Sequence, residues 1–169
     1  MISQTAKVFC RLTVISGITL FAACSSQPVS QPASKPASQV VVQSRAAAGP
    51  ADAAVSVAMQ QLGVPYRYGG ASPQGFDCSG LVYYSYIRAG KSLPRTTATL
   101  WSHTRPVAKH DMQAGDILFF RIAGKMSHVG LYIGDDRFVH APSSGRVVSV
   151  ASLRSDFYGD ALIRAGRPY

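Results

Sequence analysis

One cysteine of this chain, Cys78, lies where a thiol can act as a nucleophile. It belongs to the stretch Gly75-Phe76-Asp77-Cys78-Ser79-Gly80-Leu81-Val82, between a glycine-bearing turn and an apolar run typical of a helix. Asp77 is a good N-cap residue for that helix. The positive end of the helix dipole favours the nucleophilic thiolate, and the backbone N–H groups can hold an oxyanion. Free cysteines are also among the most buried residues, so the turn alone favours a structural thiol equally.

A nucleophilic thiol needs a base, and four histidines are candidates. His103 and His110 lie in a polar stretch and are predicted to be solvated surface residues. His128 begins an alternating strand, residues 128–133, and lies on the face opposite Val129, Leu131 and Ile133. We expect Gly130 to leave open space on the same face as His128. The alternative is a half-exposed strand histidine without a catalytic role.

Strand parity tests whether His140 lies beside His128. Residues 134–136, Gly-Asp-Asp, form a plausible three-residue hairpin loop between Ile133 and Arg137. If Ile133 pairs with Arg137, His140 is opposite Gly130 and shares a face with His128 as its diagonal neighbour. A two-residue loop would send His140 to the other face. The pairing of the two histidines therefore depends on the loop.

Other kinds of site find little support in the sequence. Neither C-x-x-C nor H-x-x-x-H occurs, so a zinc site is not expected. Neither G-x-S-x-G nor a P-loop motif occurs. The formal charge is +9, which suits an anionic partner. Basic residues are not interleaved with aromatic ones, so nucleic acid is not the predicted partner.

The first 24 residues resemble a bacterial lipoprotein signal. Lys7 and Arg11 precede an apolar segment, and the small pair Ala22-Ala23 meets Cys24, which would be lipidated. Phe21 departs from this pattern, which usually has Leu there. An ordinary secretory signal or an uncleaved anchor is the alternative. Ser25 favours the outer membrane by resemblance to known sorting rules. Removal of the signal would leave Cys78 as the only free thiol of an exported domain, where it is either reactive or inert.

A proline-rich segment follows the signal. Pro28, Pro32 and Pro36 recur among Ser, Gln and Ala, a composition that cannot bury enough apolar surface to fold. We therefore predict a signal peptide at residues 1–23, a lipidated cysteine with a disordered tether at residues 24–50, and one folded domain at residues 51–169. No later stretch is apolar enough for a membrane span.

The folded domain is predicted to be α+β, with N-terminal helices packed on an antiparallel sheet. Asp52 is expected to cap a helix that runs to Leu62, with Val55, Ala58, Met59 and Leu62 on its buried face. Further helices are predicted from Cys78 to about residue 89 and at residues 97–103. Strands are predicted at residues 116–121, 128–133, 138–140, 146–150 and 161–164.

Five sequence blocks together resemble the NlpC-type cell-wall peptidases, which are papain-like cysteine hydrolases of bacterial peptidoglycan. The resemblance covers about residues 52–169 in the family's order. The blocks are Pro65-Tyr66-Arg67-Tyr68-Gly69-Gly70, the Phe76 to Val82 block, Ala114-Gly115-Asp116-Ile117-Leu118-Phe119-Phe120, Ser127-His128-Val129-Gly130-Leu131-Tyr132-Ile133-Gly134 and Phe138-Val139-His140-Ala141.

The resemblance implies a role for each candidate site residue. Cys78 would be the nucleophile, His128 the base and His140 the residue that orients the base. The Tyr66 hydroxyl would help to bind the oxyanion. Asp77 and Ser79 would shape the site and contact substrate.

It also implies a function: a monomer that hydrolyses an amide bond of peptidoglycan stem peptides through a Cys thioester, without a cofactor or metal. An amidase or acyltransferase with the same residues, and a non-catalytic wall-binding lipoprotein on the same fold, remain open. Which stem-peptide bond is cut also remains open.

Overall fold

The computed structural model describes residues 49–169, which form four α-helices, eight strands and one short 3₁₀ turn. The predicted signal peptide, Cys24 and the predicted tether up to residue 48 lie outside the described residues. The elements are α1 (Pro50–Met59), β1 (Ala71–Ser72), β2 (Gly75–Phe76), α2 (Cys78–Arg88), α3 (Thr97–Ser102), β3 (Thr104–Val107), the 3₁₀ turn (Lys109–Asp111), β4 (Ile117–Ile122), β5 (Lys125–Gly134), β6 (Arg137–His140), β7 (Ser149–Ser152), α4 (Asp156–Ala161) and β8 (Leu162–Pro168).

Six of the strands form one antiparallel sheet in the order β3-β8-β4-β5-β6-β7. Helices α1, α2 and α3 pack on this sheet. They share one core cluster with alternate strand residues, in which Leu81 of α2 lies with Val129 and Leu131 of β5. A second cluster, which includes Leu118, Phe120 and Phe138, receives Tyr158 of α4. The predicted α+β architecture is confirmed.

Strand β4 lies at the centre of the sheet. Its continuous apolar run, Ile117 to Phe120, is completely buried, because one side chain after another enters the two core clusters in alternation. The prediction of a strand buried on both faces is confirmed. The preceding carboxylate, Asp116, is also buried and forms an ion pair with Arg167 of β8 at 2.7 Å.

Helix α1 differs from the prediction at both ends. It begins at Pro50 after Gly49, and Asp52 lies in its first turn rather than at the N-cap. Proline is favoured there because the first helical N–H has no partner within the helix. The helix ends at Met59, so Leu62 is not on its buried face and is 44% exposed. Of the predicted face, Ala58 is buried, and Val55 and Met59 pack against the core.

The β5–β6 hairpin has the predicted register but not the predicted loop. Leu131 pairs with Val139 and Tyr132 with Phe138, as the predicted register requires. The loop has two residues, Asp135 and Asp136, both at positive φ, as a type I′ turn demands. A register shift between Tyr132 and Gly134 adds one residue to β5. This bulge reverses the change of parity that a two-residue loop alone would cause.

Several other elements were misplaced or missed. The strand predicted at residues 146–150 is β7, which begins at Ser149. Strand β8 extends to Pro168, beyond the predicted end at residue 164. The short hairpin β1–β2, strand β3 and helix α4 were not predicted. Within the described residues, no helix is both long and apolar enough to cross a membrane.

Candidate active site

Cys78 is the first residue of α2, and Asp77 is its N-cap. The Oδ1 atom of Asp77 accepts a hydrogen bond from the backbone N–H of Gly80 at 2.7 Å. Helix α2 therefore begins where the sequence predicts, because a short carboxylate side chain satisfies one of the unpaired N–H groups of its first turn.

Arg95, which the sequence analysis missed, stabilises the N-terminus of α2 through four hydrogen bonds. Its guanidinium donates to Oδ1 of Asp77 at 2.9 Å and to Oδ2 at 2.8 Å. It also donates to the Ser79 hydroxyl and to the Gly70 carbonyl oxygen, each at 3.0 Å. Burial raises the pKa of Asp77, but the hydrogen bonds from Arg95 and Gly80 outweigh it, so the pKa lies below its ordinary value.

The N-terminus of α2 also lies tightly against the preceding turn. A Cβ atom at Gly80 would collide with the carbonyl oxygen of Gly70 and approach the Arg95 guanidinium. The same turn binds the Asp77 carboxylate, because the Gly69 N–H donates to its Oδ2 at 3.0 Å. Glycine at position 80 thus allows backbone, carboxylate and guanidinium to meet beside the thiol.

The thiol opens into a cleft of about 460 Å³. The predicted residues Tyr66, Asp77 and Ser79 line it, and so do Tyr68, Arg95, Thr97 and Ser127. Burial raises the pKa of Tyr66, and the nearby Cys78 and Asp77 raise it further, so its hydroxyl keeps its proton at neutral pH. The Ser79 hydroxyl donates to Oδ1 of Asp77 at 3.2 Å, an internal contact that shapes the cleft.

The protonation state of Cys78 differs from the expectation. Burial raises the pKa of its thiol, and the Asp77 charge adds to this. The N–H groups of Val129 and Ser79 and the Thr97 hydroxyl lower the pKa but do not reverse the shift. Desolvation thus outweighs the stabilisation of the thiolate expected at a helix N-terminus. The resting thiol keeps its proton and needs a base.

His128 and His140 form a buried pair. The Nε2 atom of His128 lies 2.8 Å from the Nδ1 atom of His140. The two residues are only 5% and 2% exposed, so a half-exposed strand histidine is the wrong description of His128. Burial lowers the pKa of His128 to about 4; for His140, burial and then the charges of His128 and Arg146 lower it to about 3. Both rings are therefore neutral at neutral pH.

The environment of this pair is aromatic rather than open. A Cβ atom at Gly130 would lie 2.5 Å from the Phe138 ring, so the space expected beside His128 is filled. The Phe138 ring centroid lies 4.9 Å from that of His140, and the Phe120 centroid lies 5.8 Å from that of His128. These rings exclude water from the pair, which accounts for the lowered pKa values.

Strand β5, which carries His128, passes beside the thiol. The Sγ atom of Cys78 lies 3.9 Å from the carbonyl oxygen of Ser127, the residue before His128. In the described part of the chain, no hydrogen bond joins the thiol to the His128 ring. Such contacts are often long before substrate binds. The resting site therefore combines a neutral thiol with a neutral imidazole.

The remaining histidines lie away from this site. His103 and His110 are both exposed, as predicted. Across residues 49–169 no group of three or more His, Cys, Asp or Glu side chains is arranged to hold a metal ion.

A comparison with sequence models of known families gives a match over residues 63–167, to the NlpC/P60 family. The matched range is more than half of the chain and includes Cys78, His128 and His140. The chain belongs to the NlpC/P60 family.

Named relatives of this NlpC/P60 domain include two endopeptidases. The murein DD-endopeptidase MepH of Escherichia coli K12 is 40% identical over 121 residues, which cover 68% of this chain and 44% of MepH. The bifunctional muramidase/DL-endopeptidase CwlT of Bacillus subtilis 168 is 39% identical over 114 residues, covering 65% of this chain and 34% of CwlT. The chain thus matches less than half the length of each relative.

A solved structure has the same fold. It is an NLP/P60 family protein, described as similar to a lipoprotein, from Staphylococcus aureus Mu50. It aligns with a TM-score of 0.64 and 37% identity, over 70% of this chain and 41% of that protein.

Arg95, Thr97 and Ser127 are among the cleft residues that the sequence analysis missed as site residues. Arg95 lies between Pro94 and the capping box that begins α3, and no local pattern connects it to Asp77, 18 positions earlier. Thr97 is the first residue of α3, and Ser127 precedes His128 in β5. Only the position of Ser127, next to the predicted base, offered a signal.

Proposed function

We propose that this domain is a cysteine endopeptidase that hydrolyses an amide bond of peptidoglycan stem peptides. The observation that carries the proposal is the buried His128–His140 pair. His128 lies on β5 directly after Ser127, whose carbonyl oxygen contacts the Cys78 thiol at the N-terminus of α2. The family relatives support the substrate class, because MepH is named a murein DD-endopeptidase and CwlT a muramidase/DL-endopeptidase.

In the proposed reaction His128 acts first as a general base. As the Cys78 sulfur attacks the peptide carbonyl carbon, the thiol proton passes to Nδ1 of His128, the ring nitrogen that His140 does not bind. Proton transfer thus accompanies attack, since both groups are neutral at rest. The carbonyl oxygen becomes an oxyanion, which the Cys78 N–H and the Tyr66 hydroxyl stabilise.

His128 then acts as a general acid. The imidazolium donates its proton to the leaving amine, the C–N bond breaks, and a thioester remains on Cys78. His128 next removes a proton from water, which attacks the thioester and releases the acid product and the thiol. His140 orients His128 throughout, while Asp77 and Ser79, fixed by Arg95, shape the cleft and contact the substrate.

The test is digestion of purified sacculi by the wild-type chain and by Cys78→Ala. The wild type should release muropeptides whose masses identify the bond that is cut, and Cys78→Ala should release none. The circular dichroism spectrum of Cys78→Ala should match that of the wild type, because a small side chain is lost at a helix start. Cys24→Ala is the matched control and should keep full hydrolysis in detergent. Wild-type turnover by Cys78→Ala would contradict the proposal.

We also propose that the protein is anchored in the cell envelope by lipid on Cys24, at the periplasmic face of the outer membrane. Residues 1–23 would be removed, and residues 24–50 would tether a monomeric domain that begins near residue 51. The Ala22-Ala23-Cys24-Ser25 sequence supports this placement. Cell fractionation should find Cys24→Ala in the soluble fraction. Retention in membranes would indicate an uncleaved anchor.

A further inference from the structure

The second ring nitrogen of His140 has no hydrogen-bond partner among residues 49–169. Its Nδ1 atom is paired with His128, and no hydrogen bond reaches its Nε2 atom from the described residues. Arg164 Nε is the one side-chain nitrogen or oxygen in that part of the chain that is both fully buried and unpaired. Among these residues the Nε2 atom of His140 is thus unpaired but not fully buried, although the residue is only 2% exposed.

The proposed reaction determines which atom of His140 carries the proton. His128 can act as a base only if its Nδ1 atom has a free lone pair, so its proton is on Nε2 and is donated to Nδ1 of His140. A neutral His140 then carries its own proton on Nε2. Among residues 49–169 that N–H has no acceptor, so it can donate to a ligand.

His140 is one of the residues that line a cavity of about 530 Å³. It shares no lining residue with the Cys78 cleft. Arg146 and Tyr158 line it together with His140, while Pro142, Val147 and Val150 provide apolar wall. The Tyr158 ring lies edge-on to His140, with 5.3 Å between centroids.

The polar side chains around this cavity can donate hydrogen bonds, and none of its described lining residues is acidic. The Arg146 guanidinium forms no ion pair with any residue in the range 49–169. Its charge is nevertheless close enough to affect the pKa values of both neighbours. At His140 it adds to the larger lowering by burial, and at Tyr158 it opposes the larger raising effect of burial. A cation and two neutral donors without a facing acid suit an anion.

We propose that this cavity binds a carboxylate, which accepts a hydrogen bond from Nε2–H of His140 and pairs with Arg146. The ligand class is the C-terminal carboxylate of a short peptide with small apolar side chains, for which Val147 and Val150 supply the wall. The choice of a peptide rests on the proposed function, since stem peptides carry such carboxylates.

A bound carboxylate would complete the chain of polar groups behind the thiol. It would increase the basicity of His140 Nδ1, which in turn would stabilise the imidazolium of His128 as it forms. The buried acid of a Ser-His-Asp triad has the same role, but here the ligand would supply the charge. Occupation of the cavity should therefore accelerate acylation of Cys78.

The experiment measures binding without requiring turnover. The full-length Cys78→Ala chain is titrated with N-acetylalanine while the ring ¹⁵N resonances of His140 are followed by NMR. The neutral N-methylamide of N-acetylalanine and inorganic phosphate are titrated in parallel. Arg146→Gln and Tyr158→Phe test the two other donors, and Arg105→Gln, an exposed arginine outside the cavity, is the matched control.

We expect N-acetylalanine to bind saturably and to shift the His140 Nε2 resonance, and the amide to leave it unchanged. Arg146→Gln should weaken binding by about tenfold, Tyr158→Phe by less, and Arg105→Gln should have no effect. An absent shift, equal shifts with acid and amide, unchanged binding in Arg146→Gln, or tighter binding of phosphate would overturn the assignment. The titration does not require catalysis, so the two proposals can fail separately. If N-acetylalanine binds but the wild-type chain does not digest sacculi, the proposed function is rejected and the carboxylate site is retained.

Discussion

Both carboxylate oxygens of Asp77 accept hydrogen bonds from the guanidinium of Arg95, at 2.9 and 2.8 Å. The pair joins the segment before α3 to the N-terminus of α2, one residue from the thiol. Asp77 is nearly buried, while the Arg95 side chain is 31% exposed, so solvent weakens the pair only in part.

We predict that Arg95→Gln destabilises the domain and impairs catalysis more than its stability loss alone explains. Loss of the guanidinium leaves the Asp77 carboxylate without its main partner, which should cost about 2 kcal/mol in the free energy of unfolding. The Cys78 N–H should then lose its fixed position. Urea unfolding and sacculus digestion measure the two effects.

Two further variants control this prediction. Arg95→Lys keeps the charge but loses the two-pronged contact, so it should lie between wild type and Arg95→Gln. Arg105→Gln should be neutral, because Arg105 is exposed on β3. Unchanged unfolding and turnover in Arg95→Gln would show that the pair has no such role.

Acidification should destabilise the domain through the two buried histidines. Their pKa values in the folded state are about 4 and about 3, whereas an unfolded histidine has a pKa near 6.5. As the pH falls from about 6.5 to about 4, the unfolded chain binds protons that the folded chain excludes. The free energy of unfolding should therefore decrease over this window, by an amount of the order of a few kcal/mol.

Urea unfolding at a series of pH values measures this effect. His140→Asn should show a shallower decrease, because one titrating group is gone. His103→Gln should match the wild type, since His103 is exposed and lies outside the buried pair. The lowered pKa of Asp77 affects the free energy of unfolding mainly below about pH 4, outside the window of the histidine effect. Stability that stays constant across the window would contradict the prediction.

Features that depend on local sequence were predictable. The start of α2 followed from Asp77 and the small residues after Cys78, and the central strand followed from the run Ile117 to Phe120. These patterns report backbone preference and burial directly.

Features that depend on tertiary packing were not predictable. The Arg95–Asp77 pair crosses 18 positions, and its geometry arises only when α3 packs near α2. The thiol pKa was expected to fall because the helix dipole is visible in the sequence, whereas the desolvation that raises it depends on the surrounding chain. The prediction that His140 shares a face of the sheet with His128 was right only because an unpredicted bulge compensated for a loop shorter than expected.

We predict that Gly130→Ala lowers activity through the histidine pair. The added methyl group would contact the Phe138 ring at 2.5 Å, and that ring packs against His140. Because this ring is packed in the core and cannot move freely, such overpacking should lower the free energy of unfolding by about 1–3 kcal/mol. Phe138→Leu in the Gly130→Ala background should recover part of the lost stability. Urea unfolding and turnover of the single and double variants measure the coupling, and additive effects would exclude it.

The last prediction concerns His140, which the proposed mechanism treats as an orienting residue rather than a base. Its Nδ1 atom lies 2.8 Å from Nε2 of His128, so its removal leaves the base present but free to rotate. His128→Ala should lower the rate by a factor of about 10²–10⁴, as expected for loss of a general base. His140→Ala should lose about 10–100-fold, as expected for a supporting group.

Conservative variants of His140 distinguish orientation from simple space filling. The Asn side-chain oxygen lies near the position of a histidine Nδ1 atom, so His140→Asn should recover more of the rate than His140→Gln, whose amide lies one carbon further out. His140→Leu fills the space without an acceptor and should resemble His140→Ala. Turnover on sacculi at fixed pH, with folding checked by circular dichroism, makes the comparison. Equal rates for His140→Ala and wild type would show that the hydrogen bond to His128 does not contribute to catalysis.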